Sequence, residues 1–216
     1  MFIILDKSIE FKNVIMKIEC DDINNITTPI LPYGFSFRFF EAGDEVHWAR
    51  IEASVLEFES IDSARSYFES SYLPHYENLQ RRCIFALNKD NLPIATANSW
   101  FADSELGYQA ALHWVAVRPE YQSLGIGKAL TQQALINFKK LEPNNPVWLH
   151  TQTWSHVAIR LYHHLGFNLI KEERLANNNT RNGISKIYQN DYYEAVEVLK
   201  EVIDSDQLDK LCSTAK

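Results

Sequence analysis

The sequence predicts a mixed α/β fold of the α+β type, in which helices flank one sheet. Apolar residues recur at helical spacing over residues 43–58 and again over 60–72, which predicts two amphipathic helices near the start. Three strand patterns then follow one another at 82–87, 92–101 and 111–117, as in an antiparallel meander. Strand and helix patterns alternate over the remainder. This order of elements is typical of a mixed sheet.

The length and composition of the chain indicate a folded protein with a sizeable core. The chain has 216 residues, of which 46% are hydrophobic and 23% charged, so it is not of the disordered class. Its formal net charge of −7 argues against non-specific nucleic-acid binding, which requires a basic surface. No apolar stretch approaches the length of a membrane span. The composition therefore predicts neither a nucleic-acid nor a membrane partner.

The three cysteines, Cys20, Cys83 and Cys212, are widely spaced and odd in number. This pattern favours neither a disulfide framework nor a zinc site, and free thiols are typical of the cytosol. The apolar run at the N-terminus is short and is followed by Asp6 and Lys7, without a basic region or a cleavage site. We therefore expect a cytoplasmic protein without a metal.

Residues 117–130, "VRPEYQSLGIGKAL", carry the strongest chemical signal. A strand, a glycine-rich turn and a helix follow one another, and such a turn binds phosphate through its backbone N–H groups and the helix N-terminus. A P-loop would need Ser or Thr after Lys128, where the chain has Ala129. A dinucleotide fingerprint would need a third glycine at Leu130. An ordinary strand-to-helix turn remains as the plain alternative.

A third pattern, Gln/Arg-x-x-Gly-x-Gly/Ala, fits "QSLGIG" at residues 122–127 in full. About 30 residues later, "AIRLYHHLGF" fits the pattern Ala-x-x-Leu-Tyr-x-x-x-Gly-Phe. The second pattern is matched by Ala158, Leu161, Tyr162, Gly166 and Phe167. With both motifs in this order, the chain resembles the GCN5-related N-acetyltransferase (GNAT) superfamily. The resemblance covers roughly residues 35–190 and is strongest over 111–170.

The resemblance implies a central, mostly antiparallel sheet with one pair of parallel strands that splay apart. The two strands are "LHWVAV" and "VWLHT", and acetyl-CoA would lie in the gap between them as co-substrate. It further implies an acetyltransferase domain over residues 31–203. Residues 1–30 are then an N-terminal extension with one short strand, and residues 204–216 are a C-terminal tail.

The coenzyme contacts follow from the same resemblance. The pantetheine arm would pair with the backbone of the first splayed strand, and the pyrophosphate would bind the N–H groups of the glycine loop. Ser155 stands where many members carry an asparagine that contacts the coenzyme, although it could serve only as a helix N-cap. Gln122 could instead hold the turn, and Lys128 could be a solvated helix residue. The predicted contacts are Val115, Ala116, Val117, Gln122, Ser123, Leu124, Gly125, Ile126, Gly127, Lys128 and Ser155.

The implied reaction is acetyl transfer to a primary amine of a small molecule, with a general base and a general acid. Tyr162 occupies the family's proton-donor position, although an aromatic core residue is the alternative. His113 is the candidate base, because strand alternation puts it on the same face as Val115 and Val117. Its rivals are Glu52, Glu57, Asp103, Glu105 and water.

The acceptor amine is not identified by any motif. Aromatic and acidic side chains are frequent over residues 58–80 and could surround a cationic amine, although most of these aromatics are expected in the core. Two other functions stay open: a CoA-binding regulatory module without catalysis, and an acyltransferase that uses a longer acyl-CoA. The sequence also leaves a homodimer open.

Overall fold

A central sheet of seven strands organises the protein, and a computed structural model describes residues 5–178 and 186–216. The strands of this sheet are β1 Asn13–Ile18, β2 Ser36–Phe39, β3 Cys83–Leu87, β4 Pro93–Ser104, β5 Gly107–Val117, β6 Val147–Gln152 and β7 Asn168–Leu169. Two further strands, β8 Leu175–Asn177 and β9 Lys186–Tyr188, pair with each other in a separate sheet. The helices are α1 Cys20–Asn24, α2 Glu45–Ser54, α3 Ile61–Ser71, α4 Tyr76–Arg82, α5 Ile126–Leu141, α6 His156–His164, α7 Tyr192–Leu199 and α8 Ser205–Ser213. The predicted mixed α/β fold is confirmed.

The strand order of the large sheet is β2-β3-β4-β5-β6-β1-β7. Each pair in the described sheet is antiparallel except β5 with β6, which run parallel because α5 carries the chain back between them. β1 lies between β6 and β7, so a strand from the N-terminal 30 residues forms part of the sheet. The one parallel pair marks the place where the two halves of the sheet meet.

Each face of the sheet buries its own hydrophobic core. On one face, α5 packs Leu130, Ala134 and Phe138 against the sheet, as the helical spacing of these residues requires. On the other face, α2 and α3 bury Trp48 and Phe68. The helical patterns at 43–58 and 60–72 therefore correspond to the second layer.

Strands β4 and β5 are longer than the sequence pattern suggests. The stretch at 102–109 reads as a turn, yet pairing continues to Ser104 opposite Gly107. Gly107 has a φ of 79°, which a glycine adopts at little cost and which lets the chain reverse within two residues. Cross-strand hydrogen bonds thus override the weak local strand propensity of this segment.

Candidate active site

A wedge opens in the sheet between the two parallel strands. β5 pairs with β6 only from Ala110–Val147 to Leu112–Leu149. Beyond that point β6 continues alongside β1, and β5 continues alongside β4 as far as Val117. The backbone of β5 after Leu112 therefore faces open space on its β6 side, where an extended ligand could take the place of a strand.

A β-bulge in β5 shapes the wall of this wedge. The register with β4 shifts between the pairs Asn98–His113 and Thr96–Ala116, which leaves one extra residue in β5. Trp114, inside the bulge, has a φ of 52°, in the left-handed region that bulky residues rarely adopt. Such local strain is often kept at functional sites.

The bulge also changes the faces on which the side chains of β5 lie. Val115 and Val117 pack against the core on the α5 side. His113 instead bonds to Tyr72, which belongs to the core on the α2–α3 side. The predicted alternation, which put all three residues on one face, is wrong here because the bulge adds a residue between them.

The turn after β5 holds its shape through Gln122. Its backbone N–H donates to Pro119 O at 3.2 Å, and its side-chain Nε2 donates to Val117 O at 2.8 Å. The backbone N–H groups of residues 123–128 form no hydrogen bond with the described residues. Positive φ values at Ser123 (64°) and Gly125 (79°) shape this turn immediately before α5. A row of free donors therefore meets the N-terminus of a sixteen-residue helix.

The other predicted coenzyme residues lie around this row. A Cβ on Gly127 would meet Val117 Cγ2 at 3.6 Å and Leu161 Cδ2 at 3.8 Å, which are ordinary contacts. Lys128 Nζ lies 3.4 Å from His164 Nε2.

Ser155 does not use its side chain to cap α6. Its Oγ instead accepts a hydrogen bond from Gln152 Nε2 at 3.2 Å, beside the cleft described next. The capping alternative for this residue is therefore not realised.

One cleft of about 580 Å³ joins the wedge, the turn and the helices around them. The predicted site residues that line it are His113, Val115, Ala116, Val117, Gln122, Ser123, Gly125, Gly127, Lys128, Ser155 and Tyr162, together with the rival bases Glu52 and Glu57. Leu124 and Ile126 lie beside it, with Leu124 exposed to solvent and Ile126 in the core. Asp103 and Glu105, at the β4–β5 turn, do not line it.

Tyr162 projects from α6 into this cleft and is only 7% exposed. Its ring packs edge-on against Phe167, at 5.9 Å between centroids. Its hydroxyl has no hydrogen-bond partner among the described residues. Burial, together with the charges of Glu52 and Glu57, raises the pKa of this hydroxyl above its ordinary value. The group therefore keeps its proton at neutral pH.

His113 lies at the apex of the wedge, just beyond the last parallel pair. Trp114 Nε1 donates to the hydroxyl oxygen of Tyr72 at 2.9 Å, and that hydroxyl lies 2.9 Å from His113 Nδ1. We assign the hydroxyl proton to this second bond, which puts the proton of the neutral imidazole on Nε2. Burial lowers the pKa of His113 to about 4. The ring is therefore neutral near pH 7.

Two carboxyl groups reach the same cleft from the α2 side. Glu52 is 1% exposed, and its Oε1 has no hydrogen-bond partner among residues 5–178 and 186–216. Burial raises the pKa of Glu52 well above its ordinary value, and the charge of Glu57 adds to this effect. Glu57 faces open cleft space, accepts a hydrogen bond from Gln152 Nε2 at 3.4 Å, and also has a raised pKa because the surrounding protein desolvates it.

His150 is a cleft residue that the sequence did not single out. It lies on β6 immediately beyond the last parallel pair, so it stands opposite the start of the free part of β5. Its Nε2 lies 2.9 Å from Asn13 Oδ1, and its ring stacks on Tyr188 at 3.6 Å. Burial lowers its pKa to about 3, so this ring is neutral as well. The only sequence signal was its place within "VWLHT".

Residues 5–12 cover one end of the cleft. Trp154 Nε1 donates to Ile9 O at 2.6 Å, and Phe11 packs edge-on against the Trp154 ring at 5.1 Å. Lys7 Nζ donates to Leu56 O at 2.9 Å and so ties this segment to the end of α2. Leu5 and Phe11 both line the cleft. No periodicity in the sequence indicates these contacts, because they join residues far apart in the chain.

A comparison with models of protein families agrees with the geometry of the site. A family model described as "Acetyltransferase (GNAT) family" matches residues 48–167, which is more than half of the chain. The chain belongs to the acetyltransferase (GNAT) family. The matched region begins in α2, contains the wedge and the glycine turn, and ends at the glycine–phenylalanine pair after α6. A search of curated proteins found no significant match to this GNAT protein.

Several solved structures with a similar fold are described as GNAT proteins. A GCN5-related N-acetyltransferase from Sphaerobacter thermophilus has 20% identity, a TM-score of 0.56, and coverage of 74% of this chain and 49% of that chain. A GNAT-family acetyltransferase from Colwellia psychrerythraea has 12% identity and a TM-score of 0.54, and the match covers 74% of this chain and 54% of that chain. A tandem GNAT protein from the clavulanic acid biosynthesis pathway has 18% identity and a TM-score of 0.51, and the match covers 74% of this chain and 50% of that chain.

These likenesses support the fold alone. The chain spans about half the length of the solved structures it matches. Among residues 5–178 and 186–216, no helix combines the length and apolarity needed to cross a bilayer.

Proposed function

We propose that this GNAT protein transfers the acetyl group of acetyl-CoA to the primary amine of a small molecule. The observation that carries the proposal is the wedge between β5 and β6, which shares one cleft with the free N–H groups of residues 123–128. An extended amide chain and a pyrophosphate are the ligand parts that fit these two features.

The donor side of the cleft fits acetyl-CoA part by part. The pantetheine amides can pair with the backbone of Val115, Ala116 and Val117, which has lost its neighbour on the β6 side. The pyrophosphate can accept hydrogen bonds from residues 123–128 while the α5 dipole favours its negative charge. Lys128 and Ser155 line the same part of the cleft and can add contacts to the coenzyme.

The chemistry requires a neutral amine, a polarised thioester carbonyl and a proton for the departing sulfur. Tyr162 holds a proton inside the cleft and is our candidate donor to the sulfur. His113, with its proton on Nε2, can donate a hydrogen bond to the carbonyl oxygen. To take a proton from the amine it would need the other tautomer, in which the proton is on Nδ1 and Nε2 has a free lone pair. The candidates for the general base are His113, Glu52 of α2 and Glu57, which follows α2.

The acceptor is proposed to be small because the cleft is covered on its acceptor side. Residues 5–12 close one end, and Tyr188 of β9 lies over His150 at another. A large protein surface would have to displace these contacts, whereas a small amine can enter the cleft of about 580 Å³.

Binding of acetyl-CoA is the first test of this proposal. Thermal unfolding should shift upward with acetyl-CoA and with CoA, by an amount that corresponds to about 2.7 kcal/mol at a hundredfold excess over Kd. Butyryl-CoA should give less turnover if the acetyl group is the natural one. Absence of any shift at millimolar acetyl-CoA would contradict the donor assignment.

Turnover is the second test. A panel of small amines and peptides is incubated with acetyl-CoA, and release of the CoA thiol is followed. Turnover of a small amine supports an acetyltransferase. Tight acetyl-CoA binding without turnover on any amine would instead identify a CoA-binding regulatory module.

A further inference from the structure

We propose that Glu52 and Glu57 form the binding site for the ammonium group of the acceptor, and that Glu52 removes its proton. The acceptor is then a small primary amine on an aromatic or apolar body, without a carboxylate beside the amine. This inference rests on the proposed acetyltransferase function and names the class of its acceptor.

The first observation is the isolation of the Glu52 carboxyl group. It lies in the wall of the cleft, 1% exposed, and in the described part of the chain its Oε1 has no hydrogen-bond partner. None of the ion pairs among the described residues includes Glu52. A buried carboxylate without a partner is costly, and a bound ammonium would supply both the charge and the hydrogen bonds that it lacks.

The second observation is that Glu57 places another negative charge at the same end of the cleft. Its Oε1 accepts a hydrogen bond from Gln152 Nε2 at 3.4 Å, which holds it towards β6. Its charge raises the pKa of Glu52, Tyr162 and Tyr188. The carboxylates thus act on the group that we assign as the proton donor, and a cation bound between them would lie beside the reacting atoms.

The third observation concerns the cations around the cleft. Among the described residues, the lysines that line it are Lys128, 3.4 Å from His164 near the glycine turn, and Lys186, over the ring of Tyr188 at 4.8 Å. Lys7, near Glu57, donates to Leu56 O. Lys7 and Lys186 lie at this end of the cleft but already contact Leu56 O and the Tyr188 ring, so an acceptor carboxylate that reached Glu52 and Glu57 would be repelled by both carboxyl groups.

The fourth observation is the aromatic lining of the same end. Phe11, Trp114, Trp154 and Tyr188 line the cleft together with the two carboxylates. Flat apolar surfaces bury an aromatic or aliphatic body, and their ring faces attract a cation. Together the two kinds of residue match an ammonium group carried on an apolar body.

The proton balance of the step is simple. The ammonium gives one proton to the Glu52 carboxylate, and the amine lone pair then forms the new C–N bond to the thioester carbonyl. The C–S bond breaks, and the thiolate takes the Tyr162 proton. The second proton from nitrogen returns Tyr162 to its neutral form, and Glu52 releases its proton to solvent. The products are a neutral amide, the CoA thiol and one proton.

The test compares phenethylamine with phenylalanine, which differs by a carboxylate beside the amine, and with a short peptide that has a free N-terminus. We expect kcat/KM for phenethylamine to exceed the other two by at least about 100-fold, a difference of about 2.7 kcal/mol. Equal or greater turnover of phenylalanine or of the peptide would overturn the acceptor class.

Two variants test the roles of the carboxylates. Glu52→Gln should lower kcat by about 100-fold or more, the usual effect of losing a general base, with acetyl-CoA binding intact. Glu57→Gln should act mainly on KM for the amine. The matched control is Glu59→Gln, an exposed carboxyl group of the same segment that does not line the cleft. Full activity of Glu52→Gln would overturn the base assignment.

The pH profile separates Glu52 from His113. Glu52 interacts electrostatically with three other ionisable groups, which are Glu57, Tyr162 and Cys83. Burial keeps Tyr162 and Cys83 protonated at neutral pH. Activity should therefore rise with pH along one limb that Glu52→Gln removes. A limb that survives in Glu52→Gln and disappears in His113→Gln would assign the base to His113 and overturn the proposal.

The outcomes distinguish this inference from the function on which it rests. Failure of the wild-type protein to bind acetyl-CoA would contradict the donor assignment itself. Acetyl-CoA binding with turnover of phenylalanine or peptides, and not of phenethylamine, would leave the acetyltransferase standing and reject the acceptor site.

Discussion

Among the residues that the structure describes, neither the Tyr162 hydroxyl nor Oε1 of Glu52 has a hydrogen-bond partner, and both side chains line the same cleft. In most folded proteins such groups are paired, because an unpaired buried polar atom costs stability. In the reaction that we propose, the bound substrates would supply these missing partners.

Removal of the Tyr162 hydroxyl should affect turnover and leave the fold intact. Since no described residue forms a hydrogen bond with this hydroxyl, Tyr162→Phe is expected to unfold at the wild-type temperature or slightly above it. Turnover should fall by about 100-fold, within the usual range for loss of a general acid. Steady-state kinetics and acetyl-CoA titration check this, and unchanged turnover would remove Tyr162 from the donor role.

Glu52 should make the stability of the protein depend on pH. Burial raises the pKa of Glu52 above its ordinary 4.5, so the folded chain keeps a proton that the unfolded chain releases. Stability therefore falls as pH rises through the window between the unfolded and folded pKa values. Glu52→Gln removes this dependence and should raise Tm more at about pH 8 than at about pH 4. An equal shift at both pH values would contradict a buried, proton-retaining Glu52.

The turn between β5 and α5 has both a structural and a binding requirement. Gln122 holds the turn through Val117 and Pro119, and Gly125 adopts a positive φ of 79°. Gly127 has no such constraint, since a Cβ there would make only ordinary contacts. Its lack of a side chain is thus useful mainly to a ligand that approaches the backbone closely.

Gly127→Ala should separate stability from coenzyme affinity. The added methyl group is expected to stabilise the protein by up to ~1 kcal/mol, because alanine favours a helix over glycine. The Kd of acetyl-CoA should rise about tenfold or more, a loss of about 1.4 kcal/mol, because the methyl projects into the cleft. Calorimetric titration and thermal unfolding measure the two effects, with Lys139→Ala at the far end of α5 as the control. Unchanged affinity would place the pyrophosphate elsewhere.

A buried ion pair joins the layers of the whole molecule away from the cleft. Arg82, at the end of α4, donates to Ser99 O in β4 at 3.0 Å and to Glu142 Oε1, just after α5, at 2.7 Å. Tyr108 of β5 donates to the same carboxylate at 2.5 Å. The pair thereby connects the end of α4, the interior strands β4 and β5, and the residue that follows α5.

Arg82→Met should destabilise the protein strongly, because it leaves Glu142 buried without its cation. The expected loss is about 3–5 kcal/mol in the free energy of unfolding. The control, Arg65→Ala, breaks an exposed pair with Glu69 on α3 and should cost no more than about 0.5 kcal/mol. Urea unfolding measures both values, and similar losses in the two variants would show that burial of the Arg82 pair adds nothing.

Local patterns predicted a large part of this protein. The apolar spacing of the sequence predicted α2, α3, α5 and α6, and alternating apolar residues predicted β3 to β6. Such prediction works because a helix or strand that buries one face repeats apolar residues at a fixed interval along the chain. The motif around Gly125 and Gly127 predicted the turn whose N–H groups are free, and the family match confirms the resemblance. The short helix α4 carries too little periodicity to be predicted.

The acceptor side of the cleft depended on contacts between distant segments. Glu52 and Asp103 were equal candidates in the sequence, and only the packing of α2 over the wedge brings the first into the cleft and leaves the second at a turn. The bulge at Trp114, the position of His150 and the cover formed by residues 5–12 likewise arise from pairing across the sheet. A backbone turn that binds phosphate is fixed by neighbours in the chain, whereas burial and the proton affinity of a carboxyl group are set by whatever the fold packs around it.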